Sequence, residues 1–101
     1  MPVRIDAKSA KLSDKTKEHI DRVCGKFSQF FDRIVDVDVI IDTQDKHKHA
    51  NTVEIIVKVP NQKIVGTGET DEPNLFKAID EAAERVERQL RKYHDKKVEH
   101  R

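Results

Sequence analysis

The sequence predicts a two-layer α+β sandwich: a four-stranded sheet in β-α-β-β-β-α order, with two helices packed on one face. Three observations carry this. Four short segments alternate apolar and polar residues at the period of a half-buried strand. Two longer segments repeat apolar residues every three or four positions, the period of a half-buried helix. The polar side of the strands carries charged residues such as Asp36, Asp38, Glu54 and Lys58, so only the other side is free to take both helices.

Pro2–Lys8 reads as the first strand, with Val3, Ile5 and Ala7 on one side and Arg4 and Asp6 on the other. Ser13 is the expected N-cap of the first helix, and Asp14 in the first turn favours the dipole. Ile20, Val23, Cys24, Phe27 and Phe31 form its apolar stripe, so the helix is expected over Asp14–Phe31, with Gly25 in its interior. The second strand alternates Val35, Val37, Val39 and Ile41 with Asp36, Asp38, Ile40 and Asp42. Gln44–His49 is polar and reads as a loop. The third strand alternates Val53, Ile55, Val57 and Val59 with Thr52, Glu54, Ile56 and Lys58. Pro60-Asn61 signals a hairpin turn into a fourth strand, Lys63–Thr70. Gly66 and Gly68 fall on the Ile64 side of that strand, where they admit a close helix or mark a bulge. One long helix then covers Asn74–Lys97, with Thr70 or Asp71 as its expected cap and Pro73 in its first turn. Phe76, Ile79, Ala83, Val86, Leu90 and Tyr93 form its apolar stripe. Residues 98–101 are expected to fray.

At 101 residues the chain forms one domain with one modest core. Its net charge of +1 conceals segregation. Asp36, Asp38, Asp42 and Asp45 occupy a stretch without Lys or Arg, whereas Arg85–Arg101 holds seven cations against three acids. That distribution suits an oriented docking event better than a diffuse polycation. The single cysteine, Cys24, excludes an intramolecular disulfide and reads as a small buried hydrophobe. No apolar run is long enough to span a membrane, and no secretory leader opens the chain, so the cytosol is the expected compartment.

Arg85, Arg88, Lys92 and Lys96 recur one turn apart beside the apolar stripe of the second helix. At ~1.5 Å of rise per residue they make a rod of positive charge matched to several backbone phosphates. Arg22 and Lys26 sit four apart on the first helix, away from its apolar stripe. If the helices lie side by side, the groove between them is expected to collect both sets. Arg suits bidentate phosphate contact and Lys acts as a point charge. The bland alternative is a solvated face laced with the i,i+4 pairs Glu81–Arg85, Glu84–Arg88 and Glu87–Arg91. The five aromatics fall mostly on buried stripes, so recognition is expected to rest on shape and phosphates rather than on base stacking. His47 and His49 lack further ligands at motif spacing, and Gly66-Thr67-Gly68 lacks the ending of a phosphate loop. No nucleophile–base arrangement has spacing logic; no enzyme, metal or cofactor is expected.

Three stretches then carry a resemblance. They are Leu12-Ser13-Asp14 after the first strand; Lys26-Phe27 through Phe31-Asp32-Arg33-Ile34; and Glu69-Thr70-Asp71-Glu72 leading to Leu75-Phe76-Lys77-Ala78-Ile79-Asp80. The most specific piece is Arg85-Val86-Glu87-Arg88-Gln89-Leu90-Arg91-Lys92. Together, in this order, they make the chain similar to the bacterial ribosome hibernation-promoting factors, also called ribosome-associated inhibitor or sigma-factor modulation proteins. Pro73, Phe30 and Cys24 depart from the family pattern. The resemblance implies docking on the small ribosomal subunit near the decoding centre, where messenger and transfer RNA bind, and silencing of idle ribosomes in stationary phase. The matching rRNA-contacting positions are Lys26, Arg85, Arg88, Lys92 and Lys96, with Arg22 added from its placement. Absence of a second domain or extended tail implies the short hibernation-promoting type, a monomer when free, which works with a separate small ribosome-modulating protein to favour inactive ribosome dimers. Two other readings remain: a free double-stranded-RNA binder, since helices on one face of a small sheet resemble the layout of a double-stranded-RNA-binding domain, and an adaptor that uses the acidic strand face towards a transcription factor.

Overall fold

The computed structural model describes residues 2–8, 11–45 and 50–99, with 44–45 and 94–99 described by backbone alone. The elements are β1 (Val3–Ala7), α1 (Asp14–Gly25), a 3-10 turn (Lys26–Gln29), β2 (Asp36–Asp45), β3 (Ala50–Val59), β4 (Gln62–Thr70) and α2 (Phe76–Glu99). They form one four-stranded sheet in the order β1-β2-β3-β4. β1 and β2 are parallel, as a helical crossover requires, and the other neighbours are antiparallel. The predicted α+β architecture is therefore the one observed.

Alternation decides the faces. Val37, Val39 and Ile41 of β2 and Val53, Ile55 and Val57 of β3 are buried, and Ile64 joins them from β4. Ile20, Cys24 and Phe27 come down from the α1 side, and Ile79, Val86 and Leu90 from α2. Each such side chain removed from water contributes roughly 1.5–3 kcal/mol. Burial pushes the Cys24 thiol up to about 12, with Asp21 adding to the effect, so it is a core hydrophobe as expected.

Ser13 caps α1, its hydroxyl accepting from the Thr16 amide at 3.2 Å. The helix is shorter than its apolar stripe predicts. Gly25 is its last α-helical residue rather than an interior one, and the chain tightens into the 3-10 turn. The Ser28 hydroxyl donates to the Gly25 carbonyl at 3.1 Å, a side-chain bond that competes with helix continuation. The turn still buries Phe27, and Phe31 follows it into the core.

Two other boundaries differ from expectation. β2 runs on through Gln44 and Asp45, past an irregularity between Asp42 and Asp45, so these residues belong to a strand and not to a loop. The remainder of the expected loop, including His47 and His49, lies outside the described residues. α2 begins at Phe76, beyond Pro73. Thr70 is the buried end of β4, and its hydroxyl accepts from the Glu72 amide. Asn74 does the capping instead: its side-chain oxygen accepts from the Phe76 amide at 2.8 Å. At its other end α2 continues helically to Glu99. Between β3 and β4 the two-residue turn Pro60-Asn61 has Asn61 at φ 71°, matching the type II pattern.

The polar face of the sheet holds one compact ion cluster. Arg4 donates to Asp38 at 2.8 Å and Asp36 at 3.1 Å, and Lys58 lies 3.3 Å from Asp38. The Arg4 hydrogen bond, with help from Lys58, holds the Asp38 carboxyl below its ordinary value of 3.8. A depressed carboxylate contributes stability above its unfolded pKa and loses it as pH falls through its folded one. Asp38→Asn is therefore expected to lower the denaturation midpoint at pH 7. That deficit should shrink steadily below about pH 4. Urea titrations at pH 7 and pH 3 check this; an equal deficit at both would show that the charge is not responsible.

Candidate nucleic-acid interface

α1 and the segment that follows it lie beside α2 and run in the same direction along it. Midway along α1 and at the start of α2, the His19 ring stacks on Phe76 at 4.2 Å and bonds Asp80 at 2.6 Å. Just past the 3-10 turn that follows α1, Phe31 meets Tyr93 edge to face at 5.0 Å, and the Arg91 guanidinium lies over Phe30 at 4.8 Å. These four contacts assign Asp80 and Arg91 to the flank of α2 that faces α1. The expected Glu87–Arg91 pair is thus replaced by a cation–π contact.

The opposite flank of α2 covers the free edge of β4. Arg85 donates to the Thr67 carbonyl at 2.7 Å, and Gln89 to the Val65 carbonyl at 2.6 Å. Two outward carbonyls of an edge strand are thereby satisfied by side chains, which blunts the edge against strand addition. Between the flanks runs a crest with the pair Arg88–Glu84 at 2.6 Å; Arg85 also approaches Glu81 at 3.5 Å. Both i,i+4 pairs are exposed and contribute little to stability. Arg88 can exchange its carboxylate for phosphate, and Arg85 can do so while still holding the Thr67 carbonyl.

This geometry revises the expected groove. It does not collect both sets of cations, because Arg85 points to β4 and away from α1. The cations instead spread over the outer surface of the helix layer. Arg22 is exposed in the last turn of α1 and Lys26 is exposed where the 3-10 turn begins. Arg85 and Arg88 are anchored as described. Lys92 is exposed beside the start of β4. Among the described residues Arg22, Lys26 and Lys92 have no ion-pair partner. Lys96 is on the helical backbone, but its side chain lies outside the described residues. Sequence reasoning missed Gln89 and His19. Gln89 sits one turn after Arg85, a usable signal only once β4 is known to be an edge. His19 carries no signal of its own, since its partners come from a distant helix.

The other face of the sheet, away from its β4 edge, is unsuited to phosphate. Asp6, Asp36, Asp38, Asp42, Glu54 and Glu69 outnumber Arg4, Lys58 and Lys63 there. Among the described residues no cluster of His, Cys, Asp and Glu fits a metal ion, and no helix is long and apolar enough to cross a membrane.

The family model described as "Sigma 54 modulation protein / S30EA ribosomal protein" matches residues 3–98. The chain belongs to this family. S30EA-type proteins act by binding rather than by catalysis. The ribosome hibernation promotion factor of Bacillus subtilis (strain 168) is 29% identical over 96 residues, 95% of this chain and 50% of that protein. The ribosome hibernation promoting factor of Azotobacter vinelandii is 26% identical over 99 residues, 98% of this chain and 88% of that protein. The chain thus spans about half of the Bacillus relative and most of the Azotobacter one. In fold it matches a ribosomal subunit interface protein from Coxiella burnetii, with a TM-score of 0.78 at 22% identity over 92% of this chain and 97% of that one. It equally matches the N-terminal domain of Thermus thermophilus Protein Y, with a TM-score of 0.77 at 19% identity over 92% of this chain and 99% of that one. The S30EA fold is therefore the two-layer arrangement described above.

Proposed function

We propose that this protein is a ribosome hibernation factor of the bacterial cytoplasm. It seats the outer surface of its helix layer on the RNA of the small ribosomal subunit, near the decoding centre. Translation stops by occlusion, because the folded domain fills space that messenger and transfer RNA need, and the arrested ribosomes remain inactive or dimerise in stationary phase. One observation carries the RNA-facing part of this reading. The unpaired cations Arg22, Lys26 and Lys92, with the lightly paired Arg85 and Arg88, share one layer, while carboxylates dominate the opposite face. A polyanion is drawn to the helix layer and its flank rather than to the carboxylate-rich centre of the opposite face. The names of its relatives supply the ribosome as the target.

Sedimentation through sucrose gradients with purified bacterial ribosomes tests the proposal. The protein is expected in the small-subunit and intact-ribosome fractions. Contacts to about five phosphates predict a log–log salt slope of roughly −3 to −5. A gain in the ribosome-dimer peak would extend the role to dimerisation. Protein that stays at the top of the gradient at low salt overturns the proposal. So does binding a bare RNA duplex as tightly as ribosomes, which would make the protein a free double-stranded-RNA binder.

A further inference from the structure

A cleft of about 240 Å³ lies between the start of β4 and the C-terminal half of α2, lined by Gln62, Lys63, Ile64, Gln89, Lys92 and Tyr93. Its walls are fixed. Ile64 is buried, and the Tyr93 hydroxyl donates to the Pro60 carbonyl at 3.1 Å, tying α2 to the β3–β4 turn. Gln89 is held by its bond to the Val65 carbonyl. The two lysines come from different layers of the fold, and among the described residues neither has an ion-pair partner. Lys58, directly across from Lys63 in the β3–β4 ladder, is taken up by Asp36 and Asp38. Among the described residues no carboxylate lines the cleft. Two unneutralised ammonium groups at one rigid, polar recess make a site that is completed by an anion.

We propose that this cleft is a phosphodiester subsite, with Lys63 and Lys92 as its cationic rim, which carries the RNA-contacting surface round the flank of α2 onto the edge of the sheet. This rests on the RNA reading above and adds Lys63, a strand residue that lies on neither helix. The amide of Gln62 supplies an N–H donor beside the ammonium groups, while both N–H groups of Gln89 are spent on the Val65 and Arg85 carbonyls and fix the wall. An ammonium with an amide donor positions a backbone phosphate without reading its base. The RNA strand thus follows the crest of α2 and turns down over β4, on the side away from α1.

Lys63→Gln removes one charge at an exposed site. It also relieves the like-charge neighbour Lys58, so the melting temperature should hold or rise slightly. With purified small ribosomal subunits the variant is expected to bind roughly three- to tenfold more weakly at low salt. Its log–log salt slope should be shallower by about 0.7–0.9, the share of one phosphate. Lys63→Arg should keep both near wild type, since a guanidinium also holds phosphate. If wild-type protein binds while Lys63→Gln leaves affinity and slope unchanged, the subsite is overturned and the hibernation reading stands, even if the cleft takes up free inorganic phosphate. If wild-type protein fails to bind, the hibernation reading itself fails and the subsite with it.

Discussion

Reversing two charges, Arg88→Glu with Lys92→Glu, is expected to abolish ribosome binding and leave a folded domain. Both side chains are exposed on the helix layer, and neither belongs to the buried core. Arg88 gives up only the exposed Glu84 pair, 68% and 61% accessible at its two ends, worth at most about 1 kcal/mol. The new Glu beside Glu84 adds repulsion of a few tenths of a kcal/mol. Binding loses far more. Removing one member of a desolvated charge pair typically costs about 2–5 kcal/mol, and here two attractions become repulsions of phosphate. The expected loss is therefore a hundredfold or more, on the order of 3 kcal/mol at least. Thermal unfolding and gradient sedimentation, measured on the same preparation, decide the matter. A double variant that melts normally and still sediments with ribosomes would remove these residues from the interface.

Adding one methyl group at Gly68 or Gly66 is expected to damage the fold more than any surface change. A Cβ at Gly68 would overlap the Ala78 carbonyl oxygen, and one at Gly66 would overlap the Ala82 carbonyl oxygen. Both obstacles are backbone of α2, so the helix itself must lift from β4. Two effects compete in Gly→Ala. Restricting the unfolded chain stabilises by about 0.4–1 kcal/mol, whereas overpacking costs about 1–3 kcal/mol, so the clash wins. Each substitution should lower the melting temperature by on the order of 10 °C, given about 4–8 °C per kcal/mol in a domain of this size. Gly25→Ala is the internal control. Nothing lies within 4 Å of its added Cβ, and its φ of −60° suits any residue. It should stabilise slightly, through the unfolded-state term alone. Calorimetry of the three variants checks the contrast, and an unchanged or raised melting temperature for Gly68→Ala would refute the close-approach argument. Lifting α2 also withdraws Arg85 and Gln89 from the β4 carbonyls, so a less stable Gly68 variant should expose an edge strand and associate more readily.

Much of this architecture was legible from local pattern. Val37, Val39 and Ile41 alternate with Asp36, Asp38 and Asp42, and a period of two leaves no choice of which side is buried. The stripe from Ile79 to Leu90 fixes the inward side of α2 equally well. Element ends were less legible. The apolar stripe of α1 continues past Gly25 because a 3-10 turn also carries Phe27 and Phe31 inward, so periodicity overran the true helix end. The start of α2 is not legible from sequence because Thr70, Asp71 and Asn74 are all good cap residues, and only the extent of β4 shows that Thr70 is still strand.

For this protein the sequence alone determined the α+β class, the buried side of each element, the acidic strand face and the family, because each depends on short-range periodicity or on residue order. Tertiary structure decided which cation does what. Whether Arg85 faces α1 or β4, whether Arg91 pairs with Glu87 or covers Phe30, and whether Lys63 comes near Lys92 all depend on how α2 is placed across the sheet. That placement is set by Gly66 and Gly68 meeting Ala82 and Ala78, a long-range fit between backbones that no local pattern encodes.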